Sequence, residues 1–253
     1  MYTRDNINLD IIKRNCQEKN VANEANNCVL LTTGSLNPIH RSHLKNLSLV
    51  KAYLEKHKDR PLNVLAAYLS PSHDSYVRHK LGETDWIPGA ERSDLCHYAI
   101  NHDKLEDFVS VSKAELECRG FVDFDQVTIE LERFLNRELH ESQSILSHPL
   151  KVVYVCGLDH FNKCPYVETL AAAKNVACAI IYRLGASDNR IQRLQERNSK
   201  VYYITLDDER ETLVDISSTE IRKRYRDSFQ QTDADEITYP FVQEYLTKKY
   251  QKR

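Results

Sequence analysis

The stretch VLLTTGSLNPIHRSHL, residues Val29 to Leu44, constrains this chain more than any other. An apolar run ends at Gly34, a turn containing Pro38 follows, and His40 and His43 stand three residues apart where a helical pattern begins. A strand passing through a short turn into a helix is the building unit of an open parallel sheet. The same unit aims a helix N-terminus, two imidazoles and free backbone N–H groups at one spot, which suits a phosphate. Gly34 allows a ligand to approach the backbone with no Cβ in the way. Pro38 fixes φ for the turn that launches the helix. The plain alternative for the two histidines is a pair of solvated side chains on a surface turn. Zinc is the weaker functional reading, because no third ligand of suitable type is near in sequence.

The rest of the chain repeats the alternation. Apolar runs at Cys28–Thr33, Val64–Leu69, Val152–Cys156, Val176–Arg183 and Val201–Leu206 lack polar alternation, which predicts strands covered on both faces. Leu44, Leu47, Val50, Ala52 and Leu54 make a helical stripe after the first run. Residues 91–102 and 125–145 also read as helices, the second on Val127, Leu131, Leu135 and Leu139. The expected fold is α/β: a Rossmann-like parallel sheet with helices on both faces, as one domain over residues 28–250, binding ligand beyond the carboxyl ends of the strands. Gly34 and Gly157 directly follow strand patterns, and Gly185 comes two residues after another. Residues 1–27, polar and Asn-rich, are expected to form a loose or helical extension ahead of the domain.

Composition removes several classes. With 253 residues the chain can bury a sizeable core, and its net charge of -2 gives no global attraction to nucleic acid or membrane. No apolar run is long enough to cross a bilayer, and the first twenty residues lack the apolar core of a secretory signal. The seven cysteines are scattered with no CxxC pair, and free thiols in a reducing compartment are the expectation. Cytoplasm or nucleus is the expected location. Neither nucleic acid nor membrane is an expected partner, and the sequence is compatible with a homo-oligomer.

A second motif lies near the other end, DISSTEIRKR from Asp215 to Arg224. Ser217 with Glu220 is a capping box, so the plain reading is a helix N-terminus. The functional reading adds a phosphate cradle of N–H groups and hydroxyls at Ser217, Ser218 and Thr219, clamped by Arg222.

GSLNPIHRSHL and ISSTEIR together resemble the nucleotidyltransferases that carry a histidine pair and an ISSTxIR element. Within that superfamily the likeness is to the nicotinamide/nicotinic acid mononucleotide adenylyltransferases, especially the eukaryotic type. SPSHDSYVRHKLGETDWIPGAER, VVYVCGLDHF, IIYRLG and YPFVQEYLTKKY resemble further segments of that family in the same order, so that residues 28–250 are covered. The resemblance implies adenylyl transfer from ATP to nicotinamide or nicotinate mononucleotide, forming NAD or its deamido form and releasing pyrophosphate, with Mg²⁺ carried on the ATP phosphates. Attack is in line, with no covalent intermediate.

The resemblance also implies roles. His43, His40 and Arg222 would be catalytic. Gly34 and Ser35 would hold phosphates of both substrates, with His40 and His43 donating to ATP and Ser217, Ser218, Thr219 and Arg222 gripping its outer phosphates. Gly157 and Asp159 would face the adenosine. Ser35, Leu36, Tyr76, Arg78 and Lys80 would meet the mononucleotide, and Arg92 would order that loop or touch the substrate. Leu36 and Arg78 stand where the family usually has Phe and Lys. The family's ring-stacking Trp has no counterpart, because the sole Trp here, Trp86, lies elsewhere; Phe121 or Phe124, in the segment Glu115 to Phe124, would take over. Two rivals stay open: an adenylyltransferase for another phosphorylated substrate such as phosphopantetheine, and a catalytically inactive nucleotide-binding protein with a regulatory or chaperone-like role.

Overall fold

A computed structural model of the chain describes residues 1–164, 166–183, 198–206, 217–227 and 238–251. Gly185, Asp215 and Ile216, named above, lie outside the described residues.

The apolar runs form a six-stranded sheet: β1 (Asn27–Gly34), β2 (Asn63–Pro71), β3 (Val109–Val111), β4 (Lys151–Gly157), β5 (Val176–Arg183) and β6 (Val201–Leu206). Its order is β3-β2-β1-β4-β5-β6 and every pairing is parallel. This is the doubly wound, Rossmann-like order, in which the chain reverses its direction of travel between β1 and β4. The strands are apolar on both sides because both faces are covered. On β1, Cys28 and Leu30 join one buried cluster while Val29 and Leu31 join another. The expected strands are all present. β3 is additional: three residues between polar neighbours are too short to stand out in sequence.

Helix α2 (Arg41–Glu55) buries Leu44, Leu47, Val50 and Leu54 on one face of the sheet. The same cluster holds α4 (Gly89–His102) through Leu95, with Ile87 in the junction that follows α3 (Asp74–Asp85), and α8 (Ser218–Asp227) and α9 (Pro240–Gln251) through Ile221 and Leu246. The other face is covered by α1 (Asp10–Glu18) and α5 (Phe124–Asn136), with α6 (Leu158–Lys163) and α7 (Tyr166–Leu170) beyond them. The helix expected over 125–145 is α-helical only to Asn136, and a π turn follows over Arg137–Ser142. That turn keeps Leu139 in the core, where the four-residue spacing had placed it.

The N-terminal residues are not a loose appendage. α1 sets Ile11, Ile12 and Cys16 against Leu65, Ala66 and Tyr68 of β2. Asn15 Nδ2 donates to the Leu65 carbonyl at 2.8 Å, and Tyr68 Oη donates to the Asn8 carbonyl at 2.7 Å. Of the two expectations for this segment, loose or helical, residues 10–18 are helical, with the apolar side of the helix turned to the sheet. All seven cysteines are free, and burial pushes the Cys28 thiol up to about 12, which leaves it unreactive.

Candidate functional site

The site follows from where β1 and β4 stop pairing. Their register runs from Cys28 opposite Lys151 to Leu31 opposite Tyr154, yet β1 continues to Gly34 and β4 to Gly157. The two strands part at their carboxyl ends, at the switch point where open α/β sheets bind ligands. A cleft of about 210 Å³ opens there, lined by Thr33, His43, Asn46, Tyr154, Gly157 and His160 among others. A Cβ on Gly34 or Gly157 would meet no protein atom within 4 Å. Gly157 lines this cleft, and the space a side chain would take at either glycine is open.

His40 is the N-cap residue of α2, and His43 lies in its first turn. The backbone N–H of His40 donates to Nδ1 of His43 at 3.1 Å, which leaves Nε2 of His43 carrying the proton and able to donate outward. The backbone N–H of His43 returns to the His40 carbonyl at 3.0 Å. The two rings lie 3.8 Å apart, tilted by 40°. Burial pulls the His40 pKa well below its ordinary value, with the neighbouring His43 adding to it, and burial takes His43 down to about 4. Both imidazoles are therefore neutral donors beside a helix start whose first turn contains no acid.

Loop residues 35–40 are held from several sides. Arg92 on α4 is fully buried and spends its guanidinium on four protein acceptors: the carbonyls of Ile87 (2.9 Å), Ser35 (2.8 Å) and Ser72 (2.7 Å), and Asp74 Oδ1 (2.7 Å). All four acceptors belong to the protein, and one of them, Ser35, lies on the loop between β1 and α2. Gly89, at the start of the same helix, has no room for a side chain: a Cβ would come within 2.6 Å of Leu116 Cδ2.

The ISSTEIR segment is brought to the same loop. Ser218 Oγ donates to the Pro38 carbonyl at 2.8 Å, and Nη1 of Arg222 donates to the Asn37 carbonyl. Ser217 Oγ accepts the backbone N–H of Glu220 at 3.1 Å, the capping contact the sequence predicts. Arg222 Nη2 donates to Thr219 Oγ1 at 3.2 Å. Arg222 is buried by this arrangement, not extended into open solvent.

Polar atoms left without partners gather here. Among the described residues, Ser35 Oγ, Asn46 Oδ1 and Arg222 Nε are buried and make no hydrogen bond. Buried polar groups are otherwise nearly always paired, so three orphans beside one cleft are a feature that a bound ligand would satisfy.

The residues assigned to the mononucleotide lie on neighbouring elements. Tyr76, on α3, stacks on Phe121 with ring centroids 4.5 Å apart and planes 18° apart, and Lys80 Nζ sits 5.4 Å from the Tyr76 centroid. Phe121 is 43% exposed, whereas Phe124 is buried against Tyr154. Of the two candidates for ring stacking, only Phe121 therefore offers an accessible face. Arg78 is exposed, pairs with Glu83 at 2.5 Å and lies 5.5 Å from the Trp86 ring. Leu36 is buried, and Asp159 is exposed in the first turn of α6 just past Gly157.

Two residues in the site escaped the sequence reading. Asn37 is fully buried, donating from Nδ2 to the Asp85 carbonyl (2.9 Å) and accepting the Ile87 N–H (2.7 Å), so it ties the α3–α4 junction to the histidine loop. An Asn before Pro reads only as a turn former. His160 closes a hydroxyl chain: its Nε2 lies 3.2 Å from Tyr154 Oη, which lies 3.2 Å from Thr33 Oγ1. Burial lowers the His160 pKa; Asp123 opposes this, and Lys80 and Lys163 add to it. Its position two residues beyond Gly157-Leu158 was the available signal. Among the described residues no three or more His, Cys, Asp or Glu side chains come together as a metal site, and no helix is long and apolar enough to cross a membrane.

Comparison with known proteins gives consistent likenesses. The chain is 30% identical over 131 residues to a nicotinamide/nicotinic acid mononucleotide adenylyltransferase of Oryza sativa subsp. japonica, covering 52% of this chain and 47% of that one. It is 26% identical over 223 residues to a probable nicotinate-nucleotide adenylyltransferase of Staphylococcus saprophyticus, covering 87% and 95%. A third relative, nicotinamide/nicotinic acid mononucleotide adenylyltransferase 2 of Danio rerio, is 32% identical over 78 residues, 23% of its length. The matches thus span about half or less of the plant and fish proteins. No protein-family model matches the chain. Among solved structures, Plasmodium falciparum nicotinic acid mononucleotide adenylyltransferase, complexed with APC and with NaAD, shares the fold at a TM-score of 0.59 and 16% identity, over 88% of this chain and 95% of that one.

Proposed function

We propose that this chain is a pyridine mononucleotide adenylyltransferase, as the relatives it resembles are named, and that it transfers the adenylyl group of ATP to nicotinamide or nicotinate mononucleotide. The products are NAD or deamido-NAD and pyrophosphate. The observation that carries the proposal is the set of unpartnered buried polar atoms at the strand switch point: Ser35 Oγ on the loop, Arg222 Nε on the side chain bonded to that loop, and Asn46 Oδ1 on the cleft wall.

A phosphate oxygen of the mononucleotide attacks the α-phosphorus of ATP in line. The bond to the bridging oxygen breaks, and its electron pair leaves with pyrophosphate. The nucleophile is already an anion, so the protein needs no general base, and catalysis is placement plus neutralisation of charge. His43 Nε2–H and the amides at the start of α2 meet the α-phosphate, with His40 beside them. Ser218, Thr219 and Arg222 meet the outer phosphates, and Mg²⁺ arrives as part of the ATP substrate. Gly157 leaves room for the adenosine next to Asp159, and Phe121 with Tyr76 offers an aromatic face for the pyridine ring.

The test supplies ATP with nicotinamide mononucleotide, nicotinate mononucleotide or phosphopantetheine and measures pyrophosphate release. Turnover with a pyridine mononucleotide is expected. Release with phosphopantetheine alone would move the chain to a sister activity. ATP binding without any release would make it a nucleotide-binding protein that is not an enzyme.

A further inference from the structure

The junction of α3 and α4 carries an acid that the reaction itself does not need. Asp85 Oδ2 accepts from Nη1 of Arg226 at 2.9 Å and lies 3.9 Å from Nε of Arg222; Asp85 Oδ1 accepts from Tyr250 Oη at 3.2 Å. The Asp85 side chain is 15% exposed and that of Arg222 6%, while Arg226 is 44% exposed. One partly buried carboxylate thus faces two guanidinium groups on the helix that starts with Ser218 and Thr219.

The geometry around Arg222 shows what that carboxylate does. Nη1 and Nη2 of Arg222 are held by the Asn37 carbonyl and Thr219 Oγ1, neither of which is charged. Its Nε has no hydrogen-bond partner among the described residues, and Asp85, at 3.9 Å, is too far to supply one. Asp85 therefore compensates the buried charge of Arg222 without satisfying its donor. A buried cation needs such compensation when no ligand is present. Once a polyphosphate supplies negative charge, the same carboxylate becomes a like charge beside it, and its presence weakens the grip.

We propose that Asp85 is a positioning residue that acts through Arg222 as a resident counter-ion, trading places electrostatically with the polyphosphate and so limiting how tightly ATP and pyrophosphate are held. The proposal rests on the reading of Arg222 as a phosphate ligand. Its consequence is a site that releases pyrophosphate readily instead of trapping it.

Asp85→Asn tests this, because a merely structural loss loosens binding whereas loss of a competitor tightens it. The expected result is a fall of about fivefold in both the KM for ATP and the inhibition constant for pyrophosphate. The KM for the mononucleotide stays unchanged, and the gain shrinks as salt is raised. Unchanged or weaker polyphosphate binding in a folded Asp85→Asn variant overturns the proposal. If that variant does not fold, Arg226→Gln and the double variant Asp85→Asn/Arg226→Gln make the same comparison with one charge less. Tighter pyrophosphate binding by the double variant than by Arg226→Gln supports the proposal, and equal binding overturns it. Calorimetry on the wild-type chain separates the two levels. Absence of ATP and pyrophosphate binding there removes the phosphate-site reading and the proposal with it. Binding by the wild type with no tightening in the variants removes the counter-ion role alone.

Discussion

At the scale of single residues, burial sets the chemistry more than residue type does. His43 is a neutral donor because the protein around it takes its pKa to about 4 and because Nδ1 is spent on the His40 N–H. His43→Ala is expected to lower kcat about 10²- to 10³-fold, the cost of losing one preorganised donor to a developing charge, with the melting temperature almost unchanged. Steady-state kinetics beside a melting curve checks both halves. Phe121→Ala, at a half-exposed position, should raise the KM for the mononucleotide about three- to tenfold while leaving that for ATP alone. Glu115 gives a pH-dependent case. It is buried, accepts from Ser70 Oγ at 2.8 Å, and burial pushes its pKa up to about 8, opposed by Ser70 and Arg92. The unfolded chain loses this proton near pH 4.3 and the folded chain keeps it to about 8, so stability falls as pH rises through that window. Glu115→Gln should therefore melt higher than wild type at pH 8 and show a much smaller gain at pH 5.

At the scale of elements, the site is a meeting of loops tied by a few buried polar side chains. Arg92 joins α4 to the β1–α2 loop and to the end of β2, and Asn37 joins that loop to the α3–α4 junction. Removing Arg92 leaves three carbonyls and the Asp74 carboxylate unpaired. Arg92→Met is expected to cost about 3–5 kcal/mol and to lower the melting temperature by about 10 °C, with activity falling in parallel at assay temperatures near the transition. A melt at the wild-type level would show that the loop holds its shape without that tie. These ties were only partly legible in sequence. An Arg in IPGAER looks the same whether it points to substrate or into the protein, and only its four acceptors decide between the two.

At the scale of the whole molecule, the N-terminal segment is structural. Tyr2, Ile7, Leu9, Ile11, Ile12 and Cys16 are all buried, in the cluster that also covers β2. At about 1.5–3 kcal/mol for each large apolar side chain, their loss matches or exceeds the stability of a typical domain. Deleting residues 1–18 is expected to abolish the cooperative thermal transition; a sharp transition in the truncated chain would show that the sheet closes without α1. The parallel order also explains why the two motifs, far apart in sequence, meet at one loop. β1 sits centrally, so its outgoing loop is reached by both α8 and the α3–α4 junction.

The sequence by itself determined the alternation of elements, five of the six strands described, the doubly covered sheet and the strand–turn–helix passage from Gly34 to His43. Those are local properties: apolar periodicity and turn chemistry act over a few residues and leave their mark in the order of amino acids. Only the tertiary structure decided that Arg92 points inward, that Phe121 and not Phe124 keeps an open ring face, that Asp85 faces Arg222, and that α1 belongs to the core. Each of those depends on burial and on partners distant in the chain, and desolvation and charge pairing are set by neighbours in space that residue order does not reveal.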